Sequence, residues 1–513
     1  MTKRSSLHSF AVLGAAFLVC IVVGSCGNNY YFAGRSLPPS RVLNRVLVAE
    51  QNPSIAATGA LPFMDAYYDI RHPYNGSGGQ FTISGFSGKL PLTIQNLPEE
   101  QTGVVYNSGD GSLSVIDYAS EKVGGTVSGP GSSNTEGSPY NGAFLSRDLG
   151  YVYEANPAAH AITVVNRNVN PPASDFLNLG NAYAVSVNPG GTVALVFIDN
   201  ATQAANSSAS ASAGHPLANP AGFAVYSIVQ LNSTQQAAAA AQFAAGNPNY
   251  IDPTYGVEAQ DCEPQKLPTW CVFPVSTGAN AAFDHPIKAV FSPDGTTAYV
   301  VNCGPECGGK TAGLTTIPIT SAALNSGSYG GSAIALTAQS NIAIPDGATD
   351  AVFNGNTLYV SGQQYQASSG LYAGFLTVVS TPSGTISGTY SISDGTHNRM
   401  VFGDDNTLWI GSSLCDSGVR YQQAQAGANT QFGCITMFNT STGAVSIGAY
   451  RGDGTGVAAI TGLHKVYTTE GGQVYIYSTK DMSALDNSNV SVAGTAIDCA
   501  YMDAASDTNN TQY

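Results

Sequence analysis

Residues 284 to 319 read "DHPIKAVFSPDGTTAYVVNCGPECGGKTAGLTTIPI", and the grammar of this stretch recurs along most of the chain. Two short runs rich in β-branched and aromatic residues flank a Pro-Asp-Gly turn, and a third run follows a polar loop. Asp-Gly between alternating apolar runs is a strong hairpin signal, because the turn needs positive φ and the flanking residues present one face to a core. The same order returns from Leu90, Ser138 and Asn181, and again from Gly347, Thr396 and Gly456. With the copy at Asp284 these make seven units of strand, tight turn, strand, loop, strand. A weaker fourth strand, such as "KVGGTVSG" or "TISGTYSI", usually follows. One such unit cannot bury both of its faces alone, so the repeat demands stacked copies.

The copy from Phe291 to Asn302, "FSPDGTTAYVVN", resembles the YVTN-type propeller repeat, a relative of the WD and lactonase-like propellers. Across the other copies the pattern is kept more than the letters. The resemblance implies an all-β chain folded as a single β-propeller of four-stranded antiparallel blades. A propeller must join its first and last blades. "GTAIDCAYMD" from Gly494 reads as an innermost strand with nothing after it, whereas "NRVLVAEQN", "LPFMDAYYDI" and "GQFTISGF" between Asn44 and Phe86 read as second, third and fourth strands without a first. Together they predict one blade split between the termini, a clasp that pairs the exposed edges. Counting it gives eight blades, the preferred number; if those N-terminal strands lie outside the ring, seven remain. The propeller is expected over residues 44–503, followed by a disordered tail at 504–513. Residues 200–280 interrupt the repeat that starts at Asn181, the fourth when the split unit is counted. That insertion holds a low-complexity stretch and a run from Gln235 to Ala245 with helix propensity.

The N-terminus reads as a signal peptide over residues 1–25. Lys3 and Arg4 form a basic start, and Phe10 to Val23 is an apolar stretch too short to span a bilayer comfortably. Val23-Gly24-Ser25-Cys26 then resembles the bacterial lipobox, which implies cleavage before Cys26 and lipid on that cysteine, with residues 26–43 as a tether. Gly27 in place of Asp implies, by the same resemblance, an outer-membrane address, periplasmic or surface-exposed. Formal net charge is −15, and losing Lys3 and Arg4 takes it to −17. No basic patch is available to release counterions from phosphates, so nucleic acid is not an expected partner.

Of nine cysteines, Cys20 leaves with the signal and Cys26 is acylated. Seven remain for an oxidising compartment, and sequence proximity suggests Cys262 with Cys271, Cys303 with Cys307, and Cys415 with Cys434. Cys499, in the apolar run "AIDCAYMD", is expected to be a buried free thiol. "CGPEC" alone lacks the second pair of ligands that zinc requires, so no metal is assigned. No cofactor is assigned either: haem, P-loop, nucleophile-elbow and dinucleotide motifs are absent from the sequence.

In a propeller blade the loops joining strands one to two and three to four share one face, and the remaining loops share the other. First-to-second connections here are terse, whereas second-to-third connections are long at 199–221, 301–313, 361–373 and 411–434. Long loops grouped on one rim are how a rigid scaffold acquires a binding surface. Tyr365, Tyr372, Arg420 and Tyr421 are the candidate binding residues, suited to stacking on and hydrogen-bonding an uncharged partner. A second group enters the innermost strands: Asp284 with His285, Asp394, His397 with Arg399, and Arg451 with Asp453. If the chain is an enzyme, His285, His397 and Arg399 are its candidate catalytic residues. "HP" and Asp-Gly are also ordinary turn chemistry, which favours a structural use for each residue taken singly. The Arg-Gly-Asp at 451–453 is too short a match to carry information.

These readings converge on a lipid-anchored, monomeric envelope propeller that binds a protein or glycan partner without chemistry of its own. The alternative, implied by the propeller resemblance, is a lactonase-like hydrolase or a polysaccharide lyase working at the channel mouth.

Overall fold

The computed structural model describes residues 37–504 apart from 55–57, 74–78, 80, 98–100, 128–142, 146–150, 157–160, 167–172, 178–181, 189–192, 200–221, 231–236, 238–269 and 321–335. The described strands form eight sheets, each antiparallel in its main ladder, and the fold is a β-propeller. Blade 1 is assembled from both ends of the chain: Thr495–Tyr501 is innermost, Arg45–Asn52 second, and Thr58–Ala60 with Phe63–Asp65 third. Blades 2 to 8 follow in order at 91–127, 143–177, 182–274, 286–343, 350–391, 396–447 and 454–490.

The eight innermost strands touch in one cycle. Thr495–Tyr501 meets Pro91–Leu97, and the contacts pass through Ala143–Leu145, Ala182–Val187, Pro286–Phe291, Asp350–Asn354 and Thr396–Gly403 to Gly454–Ile460. That last strand meets Thr495–Tyr501 again. The register Val48 opposite Cys499 and Leu47 opposite Ala500 joins the two ends of the chain in one ladder.

The core lies between blades, and the period of two explains it. On Thr297–Asn302, Ala298 and Val300 face the cluster shared with blade 4, while Tyr299 and Val301 face the cluster shared with blade 6. Alternate apolar side chains thus leave a central strand on opposite faces, which suits a sheet buried on both sides.

Four features depart from the expectations. Residues 361–373 are not a long loop: the strands Thr357–Gln366 and Leu371–Ser380 continue their ladder outward to a tight turn, with Tyr365 opposite Tyr372. Continued pairing satisfies backbone groups that a loop would leave to water, and the facing tyrosines favour the strand. Ser276–Asn280 adds a fifth, parallel strand to the edge of blade 5. The fourth position of blade 1 is held by a single bridge, Pro62 to Thr82, in place of a full strand. Finally, six innermost strands carry a bulge just after they start, at Leu92, Tyr183, Ile287, Asn398, Thr455 and Ile497. Bulges re-aim side chains and bend a strand, here at the same level around the axis.

Cys26, Cys262, residues 505–513 and nearly all of the insertion, including the expected helix from Gln235 to Ala245 except Ala237, lie outside the described residues. Among the described residues, no helix is long and apolar enough to cross a membrane.

Candidate functional site

Three segments from consecutive blades meet on the face that carries the second-to-third loops. The first is 303–312, closed by the disulfide Cys303–Cys307 around a 3-10 turn, Gly304–Cys307. The second is the extended hairpin of blade 6. The third is closed by Cys415–Cys434 and holds the helix α1, Val419–Gln425, which packs against the hairpin strand Leu371–Ser380. Both disulfides match the expected pairings, and Cys499 is buried and free.

Side chains on this rim tie the segments together. Tyr372 donates its hydroxyl to the Pro305 carbonyl at 3.3 Å, and its ring meets the exposed Tyr365 at 5.5 Å. Arg420 donates Nε to the Ile392 carbonyl and Nη2 to Ser391 Oγ, both at 2.8 Å. Its backbone N–H donates to Asp394 Oδ2 at 2.6 Å, and Asp394 Oδ1 accepts from the Gly374 N–H. Arg420 therefore locks α1 to blade 6. Burial raises the Asp394 carboxyl above the usual range, against those two N–H bonds and the guanidinium.

Beyond this lock lies a row of three aromatic rings. Tyr421 meets Phe432 edge-on at 5.3 Å, and Phe432 meets Tyr450 at 5.3 Å with a 31° tilt. Tyr450 donates to Asp416 Oδ2 at 2.8 Å, which pushes its hydroxyl up to about 12. Phe432 and Tyr450 were not among the residues singled out from the sequence. They flank Cys434 and precede the innermost strand of blade 8, and only the disulfide and the turn bring them together.

Glu306 occupies the seam between the first two segments. Its carboxylate accepts from Gln363 N–H at 3.0 Å and Gln363 Nε2 at 2.8 Å, while burial pushes its pKa up to about 7. A carboxyl raised on folding stabilises the native state fully below its unfolded pKa, and that contribution is lost as pH rises through about 7. Glu306→Gln should therefore flatten the fall in stability between about pH 5 and 8, by on the order of 2 kcal/mol relative to the parent protein. Urea midpoints of both proteins across that range measure it, and parallel curves would refute it. A pH-independent offset is expected as well, because Gln363 Oε1 already accepts from the Gly395 N–H and cannot turn to meet a new donor.

The second sequence group divides. His285, at φ 55°, receives a carboxylate partner: Asp284 Oδ1 lies 2.8 Å from Nδ1, and Asp284 Oδ2 accepts from the Lys310 and Thr311 N–H groups at 2.7 and 2.8 Å. The imidazole packs on Phe223, centroid to centroid 3.9 Å. His397 instead lies buried with Nε2 at 2.9 Å from the Ser393 carbonyl, and burial pushes its pKa down to about 4. Arg399 reaches across blade 8 to pair with Asp498 of blade 1, passing Gly456, where a Cβ would stand 2.8 Å from Asp498 Oδ1. None of His285, His397 and Arg399 hydrogen-bonds another of the three. Arg451 stacks on Tyr475 at 4.1 Å, and Asp453 accepts from the Leu414 N–H at 2.7 Å, so the Arg-Gly-Asp turn is held internally. Among the described residues no group of three or more His, Cys, Asp or Glu is placed to hold a metal.

These features define a β-propeller with a disulfide-braced, aromatic rim. No protein-family model matches the chain, and no curated protein sequence matches it. Among solved structures it is similar to the dihydro-heme d1 dehydrogenase NirN in complex with DHE, with a TM-score of 0.50 and 10% identity over 88% of this chain and 74% of that one. It is also similar to apo AztD from Citrobacter koseri (TM-score 0.44, 11% identity, 89% and 97% covered). A third is the periplasmic gluconolactonase PpgL of Pseudomonas aeruginosa (TM-score 0.40, 12% identity, 89% and 98% covered). At such identities the likeness is one of fold, and function has to be argued from the site.

Proposed function

We propose that this protein is a lipid-anchored propeller of the cell envelope that binds a partner, glycan or protein, through the rim of blades 5 to 8 without chemistry of its own. The anchor rests on the lipobox-like Val23-Gly24-Ser25-Cys26. The single observation that carries the binding role is the row Tyr421, Phe432 and Tyr450, braced by Cys415–Cys434 and by Asp416. Aromatic faces beside the Asp416 carboxylate suit a sugar ring, which offers C–H faces and hydroxyls without charge. Calorimetry of the Cys26→Ala protein against envelope glycan fragments tests it. Saturable binding is expected, weakened about fivefold by Phe432→Ala or Tyr450→Ala, the loss of one stacked ring contributing roughly 1 kcal/mol. Binding that ignores both substitutions would remove the row from the site. Binding to envelope proteins alone, sensitive to the same substitutions, would make the partner a protein.

A hydrolytic reading has one specific observation behind it, the carboxylate-oriented His285 beside the segment 303–312. It requires that His285→Ala abolish turnover of lactone or polysaccharide substrates in a protein that still melts cooperatively.

A further inference from the structure

Among the described residues seven large apolar side chains are exposed, and six of them fall into two groups on opposite faces. Tyr365, Leu414 and Tyr450 belong to the rim. Leu37, Tyr67 and Tyr68 lie on the other face, where the chain enters the ring, and they are 47%, 60% and 55% exposed. Their position follows from register. Arg45 pairs with Asp65, so the turn after Asp65 opens on the side from which Asn44 arrives, and the Ala66 N–H donates to the Asn44 carbonyl at 2.8 Å. Tyr67 and Tyr68 meet edge to face at 4.9 Å, on a turn closed by Asp65 and Ile70. Arg41 is exposed on the same approach. Of the carboxylates near this entry, Asp65 accepts the Tyr67 N–H at 2.9 Å, Asp69 pairs with Lys465 at 2.6 Å, and Glu121 and Asp503 share Arg45 at 2.9 and 2.6 Å.

We propose that Leu37, Arg41, Tyr67 and Tyr68 sit in the headgroup layer of the bilayer that carries the Cys26 lipid, which turns the disulfide-braced rim away from that membrane. The proposal rests on the lipid-anchor reading above. Tyrosine is an interfacial residue, with an apolar ring and a wet hydroxyl, and arginine lays an apolar stem under a charge that stays in water. Ten residues lie between Cys26 and Leu37, eleven steps of chain with a contour of at most about 40 Å. A tether of that length holds the patch near the bilayer at an effective concentration that makes a weak contact count.

The test uses the mature acylated protein on vesicles of phosphatidylethanolamine and phosphatidylglycerol, with an environment-sensitive fluorophore on Tyr68→Cys or on Tyr365→Cys. Cys499 is buried and both described cysteine pairs are bonded, so the introduced thiols label selectively over them. Headgroup-depth spin-labelled lipid should quench the probe at 68 at least about fivefold more than the probe at 365. Equal quenching, or the reverse order, overturns the proposal. If intact mass shows no acyl gain on Cys26, the anchor reading has failed separately, and the patch is tested on the unacylated chain by flotation with the same vesicles. Flotation that falls about fivefold in Tyr67→Ser/Tyr68→Ser supports it, and no flotation, or none lost, overturns it.

Discussion

Arg45→Met will lower the unfolding free energy by about 3–5 kcal/mol, the range for breaking a buried ion pair by removing one partner. Arg45 is fully buried at the start of the second strand of blade 1. Its Nη2 lies 2.6 Å from Asp503 Oδ1, its Nη1 lies 2.9 Å from Glu121 Oε1, and the same Nη1 donates to the Tyr118 carbonyl at 2.7 Å. The backbone N–H of Arg45 also donates to Asp503 Oδ2. One guanidinium thus joins the N-terminal strand, the C-terminal segment and blade 2. Methionine leaves two carboxylates facing each other without a counter-charge, in a place water does not reach. Equilibrium unfolding in urea measures the loss. The triple variant Arg45→Met/Glu121→Gln/Asp503→Asn should recover part of it, since no charge is then stranded. A loss below about 1 kcal/mol in Arg45→Met would mean the clasp is held by its ladder and apolar contacts alone.

Cys415→Ser is the second large expectation, about 3 kcal/mol against the segment it closes, on the loop-closure estimate for a bridge spanning 19 residues. The effect is local. Leu414 is exposed, α1 has no buried residue, and its attachment to blade 6 runs through Arg420 and Asp394. Without the bridge, residues 416–433 should become sensitive to protease while the innermost strands keep their protection against hydrogen exchange. Phe432 and Tyr450 then lose their fixed spacing, and rim binding should fall by at least about tenfold. Unchanged proteolysis would show that Arg420 and Asp394 hold the segment without the disulfide.

The ring was legible because its grammar is local. Alternation around a tight turn, as in Phe291 to Asn302, states both faces of a strand, and an unmatched strand at each end of the chain states the clasp. The two bridges Cys303–Cys307 and Cys415–Cys434 were legible from proximity. The extended hairpin of blade 6 was not, because Gln363, Gln364 and Gln366 look like loop residues until Tyr365 is seen opposite Tyr372. Nor were the bulges, since Leu92, Tyr183, Ile287, Asn398, Thr455 and Ile497 share a position and no chemistry. Arg420 looked like a hand held out to a ligand, and the structure gives it Ile392, Ser391 and Asp394 as partners. Phe432 and Tyr450 carried no signal because their neighbourhood is created by a fold-back of the chain.

The split blade also sets a timetable. Arg45 and Asp503 are 458 positions apart, so the strand Arg45–Asn52 leaves the ribosome long before its partner Thr495–Tyr501 exists. Until then the nascent chain carries the unpaired inner edge of Arg45–Asn52 at one end of its stack, the kind of edge that recruits foreign strands, and the uncovered apolar face of blade 8 at the other. Blades 2 to 8 can form in order as they emerge, each from contacts within a few dozen residues. Sealing the ring is the final event. A chain stalled anywhere before residue 495 is an open arc that presents two sticky ends to whatever factor attends its synthesis.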